Sequence, residues 1–310
     1  MSTQVVTLTL NPAVDRSVTV DRVVSEHKLR CTDPAVDPGG GGINVTRVLN
    51  RLGTSSQALW TQGGDMGALL GRLLSKEGVP HRPIQIADQT RENFSVFESG
   101  TSLQYRFNLP GPTFTEDCDR EVVETIAGLD PAPAFLVLSG SLPLGVEDHF
   151  YRRVVEAAPE GTKVVVDTSG KALKASLEGP VFAAKPNLRE LGLLVDRELE
   201  SDEDIIRAAR TLVEGGCEVL LVSLGAGGAL VVGEEGTSFV RSPTVPIRSK
   251  VGAGDSMVGG FIHGLSSGLS LADAARMGVA SGAATVMTDG SQLCRAKDVH
   301  RLFNEISEKT

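Results

Sequence analysis

Short runs of β-branched and aliphatic residues alternate along the chain with longer amphipathic segments. Residues 4–10, 135–138, 163–166, 181–184, 219–222 and 229–232 are brief, rich in Val, Leu and Ala, and mostly apolar on both faces. Strands of a sheet covered by helices on both sides have that pattern. Residues 43–52, 66–78, 147–157, 202–214, 255–267 and 271–287 space their apolar positions as amphipathic helices do. Such alternation predicts an α/β protein with a mostly parallel central sheet and helices on both faces. Ligands of these sheets bind just beyond the carboxyl ends of the strands.

Two stretches break the pattern. Over 15–22, Val18 and Val20 fall on one side while Asp15, Ser17, Thr19 and Asp21 fall on the other. Residues 93–108 read as a hairpin turning at Ser99-Gly100-Thr101-Ser102. Its second arm sets Leu103, Tyr105 and Phe107 against Gln104, Arg106 and Asn108. Half-buried antiparallel strands are expected, forming a small separate sheet from about 13–36 and 92–108, a lid. So small a sheet must cover its apolar face. A second copy of the chain is the expected cover, giving a homodimer; the body of the same chain is the alternative. No repeat or linker interrupts the sequence, so 1–310 reads as a single domain.

Composition narrows the partners. Hydrophobic residues make up 41% and charged residues 22%, as in ordinary globular proteins. A chain of 310 residues buries enough surface to need neither disulfides nor a structural metal. A net charge of −9 argues against nucleic acid or an anionic membrane as partner. No apolar run is long enough to span a bilayer, and Met1-Ser2-Thr3-Gln4 lacks the basic start of a signal peptide. Cys31, Cys118, Cys217 and Cys294 form no CxxC pair and read as reduced thiols, so a cytoplasmic protein is expected. Glycine stands out at 35 residues, well above the roughly 7% of average proteins.

The glycines cluster where chemistry is expected. Pro38-Gly39-Gly40-Gly41-Gly42-Ile43-Asn44 precedes a helix. Consecutive glycines expose backbone N–H groups to a ligand, and a helix start adds its dipole. Four in a row carry more entropic cost than a plain turn requires, and no Gly-Lys-Ser/Thr follows as in a Walker loop. Val251-Gly252-Ala253-Gly254-Asp255-Ser256 also opens a helix and makes an anion nest. There Asp255 is either an N-cap or a general base beside that nest, kept ionised by the helix dipole. Ser223-Leu224-Gly225-Ala226-Gly227-Gly228, Ser139-Gly140-Ser141 and Lys185-Pro186-Asn187 with Glu190 each follow a strand. Taken singly, each is a weak signal. The Asn187 segment is equally an ordinary helix start.

Together these motifs resemble the ribokinase-like sugar kinases of the PfkB family. The likeness runs from the first strand to the last helices, and the stretch 250–261 is its most specific part. It implies a three-layer α/β/α fold with a small β-sheet lid, and transfer of the γ-phosphoryl group of ATP to a primary hydroxyl. By the resemblance, Asp255 is the base, and Gly252, Ala253 and Gly254 form the anion hole. Asp15, Gly39, Gly40, Asn44 and Ser141 meet the sugar. Lys185, Asn187, Ser223, Gly225 and Gly227 line the nucleotide site. Glu190 holds Mg2+ through water, and carbonyls near Ser249, Val251 and 284–290 build a K+ site. Residues 28–32 with 37–45 are similar to the branch that acts on fructose 6-phosphate at C1. Relatives acting on fructose 1-phosphate or tagatose 6-phosphate usually carry Lys where Gly41 stands, and these substrates are the alternatives.

One feature supports a phosphorylated sugar without the family. Lys28, Arg30, Arg91 and Arg106 gather on the β-arms of an acidic protein. Arg grips phosphate with a planar fork and Lys adds a point charge.

Overall fold

The structure is a computed structural model that describes residues 4–308; the leader reading at 1–3 lies outside them. In chain order the strands are β1 (Val5–Thr9), β2 (Ala13–Val20), β3 (Thr32–Gly39), β4 (Ser56–Gln62), β5 (His81–Gln85), β6 (Arg91–Glu98), β7 (Leu103–Asn108), β8 (Phe135–Ser139), β9 (Lys163–Asp167), β10 (Ala183–Ala184), β11 (Val219–Ser223), β12 (Ala229–Gly233) and β13 (Gly236–Val240). The helices are α1 (Gly41–Leu52), α2 (Gly64–Lys76), α3 (Glu116–Ala127), α4 (Phe150–Glu156), α5 (Gly170–Ser176), α6 (Leu188–Val195), α7 (Asp202–Glu214), α8 (Ala253–Ser266), α9 (Leu271–Val286) and α10 (Ala296–Glu308).

The predicted α/β class is what the chain adopts. Nine strands form the main sheet in the order β13-β12-β11-β10-β9-β8-β1-β4-β5. It is parallel from β11 to β5; β12 pairs antiparallel with β11 and β13 antiparallel with β12, so β12 runs against the others. Side-chain alternation sorts its core into two layers. Val5, Val137, Val165 and Leu221 pack with α1, α8, α9 and α10 on one face. Val6, Leu8, Leu138, Val166 and Leu220 pack with α3, α4, α5, α6 and α7 on the other. Because the parallel strands share one direction, the ends of β1, β8, β9, β10 and β11 open on the same edge.

The hydrophobic pattern missed α3, α5, α6 and α10; of these α5 and α6, at 7 and 8 residues, are too short to show a helical period. It also started α4 three residues early: Phe150 N–H donates to Glu147 O at 2.9 Å, so 147–149 form a turn before the helix.

The second sheet has the order β3-β2-β6-β7. It was expected to be antiparallel throughout, but β2 pairs with β6 in parallel. The reason is topological. The chain between β2 and β6 passes through α1, β4, α2 and β5, and a crossover returns a strand in the same direction. Register places Asp15 and Ser17 beside Asn93 and Ser95, and these beside Asn108 and Arg106, on one polar face. The opposite face carries Phe94 beside Phe107 and Val96 beside Tyr105. Val14, at the root of β2, is buried with Ile43, Trp60, Leu70 and Leu74. That cluster anchors the small sheet to the body.

Candidate functional site

Two helix N-termini meet at the carboxyl edge of the main sheet. Helix α8 has Gly252 as its N-cap in the left-handed region, φ 75°. Asp255 is therefore the third residue of the helix rather than its cap, which removes one of the two sequence readings. The first-turn amides of α8, including Gly254 and Asp255, point out of the helix end, where an intrahelical carbonyl is absent by geometry. Helix α1 starts at Gly41, hard against the strands. A methyl on Gly41 would overlap Ser139 Oγ, and one on Gly42 would lie 2.6 Å from Thr9 Oγ1. The two helices join where Asn44 Nδ2 donates to Asp255 Oδ2 at 2.8 Å.

Asp255 sits among charges. Burial pushes its carboxyl up to about 6, helped by the neighbouring carboxylates Asp167 and Asp15 and opposed by Asn44 and Lys185. The sequence argument expected the helix dipole to hold it low; desolvation and like charge prevail. Lys185 Nζ pairs with Asp167 Oδ1 at 3.0 Å. Burial draws the Lys185 ammonium down, but Asp167, Asp255 and Glu190 more than offset this, and it ends above its ordinary value. Ser139 Oγ donates to Asp167 Oδ2 at 3.2 Å. Asp167 went unnamed in the sequence reading. Its signal was a polar residue directly after an apolar strand run, the position where this architecture places ligands.

Beside this cluster a cleft opens under the small sheet, lined by Asp15, Ser17, Asn93, Arg106, Asn108, Val251 and Ser291. Asn93 Nδ2 donates to Asp15 Oδ1 at 2.9 Å. Gly39 lies under Asp15, where any Cβ would overlap its carboxylate. Burial raises the Asp15 carboxyl, against the pull of Asn93, Arg106 and Arg91. Arg91 donates to Asn11 O at 3.2 Å and Leu109 O at 3.4 Å. Arg91 Nε, Asn93 Oδ1 and Asn11 Oδ1 are buried without a partner. Ser141 Oγ accepts from Asn11 Nδ2 at 3.0 Å, and Ser291 Oγ donates to Asp37 Oδ2 at 2.7 Å. Lys28 and Arg30 lie instead in the exposed segment between β2 and β3. Asn93, Asn11 and Ser291 had no motif around them.

The glycine turn after β11 stands next to the Lys185 segment. Ser223 N–H donates to Pro186 O at 2.9 Å, and Asn187 bridges Ser223. Gly225, at φ 59°, and Gly227 form a short helical turn there. Asn187 and Glu190 form a capping box: Asn187 Oδ1 accepts from Glu190 N–H, and Glu190 Oε2 from Asn187 N–H, both at 2.9 Å. The helix-start reading of this segment is thus correct for those atoms. Glu190 Oε1 lies outside the box. Among the described residues no three acidic, His or Cys side chains cluster to hold a metal. One carboxylate still suits Mg2+ brought by a nucleotide, since that ion prefers water and phosphate oxygens. Segment 248–251 is tied to 285–290: Ser249 Oγ donates to Gly290 O at 2.6 Å, and Arg248 N–H to Val286 O at 2.8 Å.

The family model for pfkB family carbohydrate kinases matches residues 8–298. ATP-dependent 6-phosphofructokinase isozyme 2 of Mycobacterium tuberculosis is 43% identical over 309 residues, covering 99% of this chain and 91% of the relative. A 1-phosphofructokinase of Borreliella burgdorferi is 31% identical over 302 residues, covering 97% and 96%. Solved structures of phosphofructokinase-2 from Escherichia coli, 39% identical, cover 99% of this chain and 100% of theirs. They include a complex with potassium (TM-score 0.94), a complex with fructose-6-phosphate (0.92) and a tetrameric inhibited form (0.92). Among the described residues no helix is long and apolar enough to cross a membrane.

Proposed function

The chain belongs to the pfkB family of carbohydrate kinases, phosphotransferases with an alcohol acceptor, and from that premise we propose that it transfers the γ-phosphoryl group of ATP to the C1 hydroxyl of fructose 6-phosphate. Asp255 carries the reading. Its carboxylate stands in the first turn of α8, near Lys185 and close enough to Asp15 of the cleft to feel its charge. In the transfer, Asp255 accepts the hydroxyl proton, the sugar oxygen bonds to the γ-phosphorus, and the bond to the β-phosphate oxygen breaks to leave ADP. The Gly252-Ala253-Gly254 turn, whose Gly254 amide points out of the helix end, stabilises charge on the phosphoryl group in flight together with Lys185.

Asp15, Gly39, Gly40, Asn44 and Ser141 orient the sugar hydroxyls. Arg91 and Arg106 hold its 6-phosphate, with Lys28 reaching in from its exposed segment. The partnerless Arg91 Nε supports this, because a buried donor left unpaired costs about 1–3 kcal/mol and a phosphate oxygen would satisfy it. Asn187, Ser223, Gly225 and Gly227 line the adenine nucleotide. Magnesium, where bound to the nucleotide, supplies charge neutralisation; Glu190 Oε1 would hold it through water. Ser249 and Val251 would contribute to a potassium site. The small sheet acts as the lid that excludes water so that ATP is not spent on hydrolysis. Its outer apolar face pairs with that of a second copy.

A coupled ADP-release assay with MgATP tests the substrate. The panel is fructose 6-phosphate, tagatose 6-phosphate, fructose 1-phosphate, ribose and adenosine. The highest kcat/KM is expected for fructose 6-phosphate. Preference for fructose 1-phosphate or an unphosphorylated sugar would overturn the substrate assignment while leaving the kinase assignment in place.

A further inference from the structure

Asn44 offers Asp255 an amide, and the two ends of an amide differ: Nδ2 donates and Oδ1 accepts. Only the donor end suits an ionised carboxylate. Half a turn about the side-chain torsion would set oxygen against oxygen. Arg47, one helical turn along α1, removes that freedom. Its Nη1 donates to Asn44 Oδ1 at 3.1 Å. A guanidinium has donors and no acceptor, so the Asn44 oxygen must face Arg47 and its nitrogen must face Asp255. The same Nη1 donates to Pro38 O at 2.9 Å, where the chain enters Gly39 and Gly40. The rest of the fork is committed as well: Nε and Nη2 hold both oxygens of Glu77, at 2.9 and 2.8 Å.

We propose that Arg47 is a positioning residue for phosphoryl transfer, fixing the direction of the Asn44 amide that holds Asp255 and anchoring the entry to the sugar-binding glycine run. The proposal rests on the reading of Asp255 as the base. Arg47 is only 1% exposed. Burying a guanidinium is costly, and a packed apolar side chain of similar volume often stabilises as well or better. A purely structural position would not need a planar donor fork; a position that must set one amide, one carbonyl and one carboxylate does. Sequence reasoning gave Arg47 no role, because in sequence it looks like any polar residue on an amphipathic helix.

A double-mutant cycle tests it, using Arg47→Met, Asn44→Ala and the pair, read as kcat/KM for the sugar phosphate. Arg47→Met should cost about 10²-fold, as expected for a misplaced catalytic group, with KM for ATP moving by less than about twofold. In the Asn44→Ala background it should cost only the few-fold that belongs to its hold on Pro38 O. Losses that multiply would overturn the proposal, since independent effects add in free energy.

A second arm needs no substrate. In 15N-labelled protein the Asn44 side-chain amide, assigned by its absence in Asn44→Ala, should follow the titration of Asp255. Asp167, Lys185 and Asp15 also face that carboxylate and are the same in every variant. Arg47→Met should weaken the coupling; an unchanged Asn44 amide overturns the proposal. A protein inert toward every sugar phosphate, yet with an Asn44 amide that responds to Arg47→Met, would sink the kinase reading alone. Should Arg47→Met not fold, Arg47→Lys keeps the charge opposite Glu77 without the planar fork. A smaller loss with the same non-additivity is then expected, and additive losses again count against the proposal.

Discussion

Asp255 must be ionised to accept a proton, and burial beside Asp167 and Asp15 pushes its carboxyl up to about 6. The rate should therefore be level above neutrality and fall as pH drops through about 6, close to tenfold per unit. A pH profile of kcat/KM checks this; a flat profile down to pH 4.5 would place the base elsewhere. Gly39 makes a second prediction. A methyl there overlaps the Asp15 carboxylate, so Gly39→Ala must displace it. Losing a hydrogen bond to a charged group costs about 1.5–3 kcal/mol, so KM for the sugar should rise about tenfold or more while KM for ATP holds. Both residues were legible because glycine and an acid beside a helix start form a recognisable pattern. Asp167 and Arg47 were not. A lone Asp after a strand and a lone Arg on a helix resemble solvated surface until the fold brings Lys185 and Asn44 to them.

At the scale of elements, the small sheet divides its labour by face. Arg106 stands in register with Ser95 and Ser17 on the polar side, over Asp15. Arg106→Ala should raise KM for fructose 6-phosphate by about 10- to 100-fold, the worth of a charge-assisted contact, and leave KM for ATP nearly unchanged. Equal changes for both substrates would contradict a phosphate clamp, and steady-state kinetics separates the two. The alternation of β7 was plain in the sequence, because a strand with one wet face shows it directly. The parallel pairing of β2 with β6 was not. It depends on a crossover running from residue 21 to residue 90, which no local pattern reports. Asn187 and Glu190 are the converse: local chemistry alone made them a capping box, and the roles proposed for them toward the nucleotide and its Mg2+ depend on the neighbouring glycine turn.

For the whole molecule, the main sheet was the most legible feature, since its strands are apolar on both faces and its helices lie in two distinct layers. What covers the outer face of the small sheet is a question the chain leaves to assembly. Leu103 and Phe107 are each 55% exposed there, beside Phe94 and Tyr105. A second copy is the proposed cover. Phe107→Glu should shift sedimentation from dimer toward monomer, because burying an unpaired charge in an apolar interface is strongly unfavourable. A wild-type protein that sediments as a monomer at micromolar concentration would contradict that assembly.

All three scales converge on the carboxylate at the start of α8. The most direct measurement is turnover of Asp255→Asn with MgATP and saturating fructose 6-phosphate. The account predicts kcat lower by about 10²–10⁴-fold, the usual worth of a general base, with KM for ATP little changed. A variant that keeps half of normal turnover would contradict it.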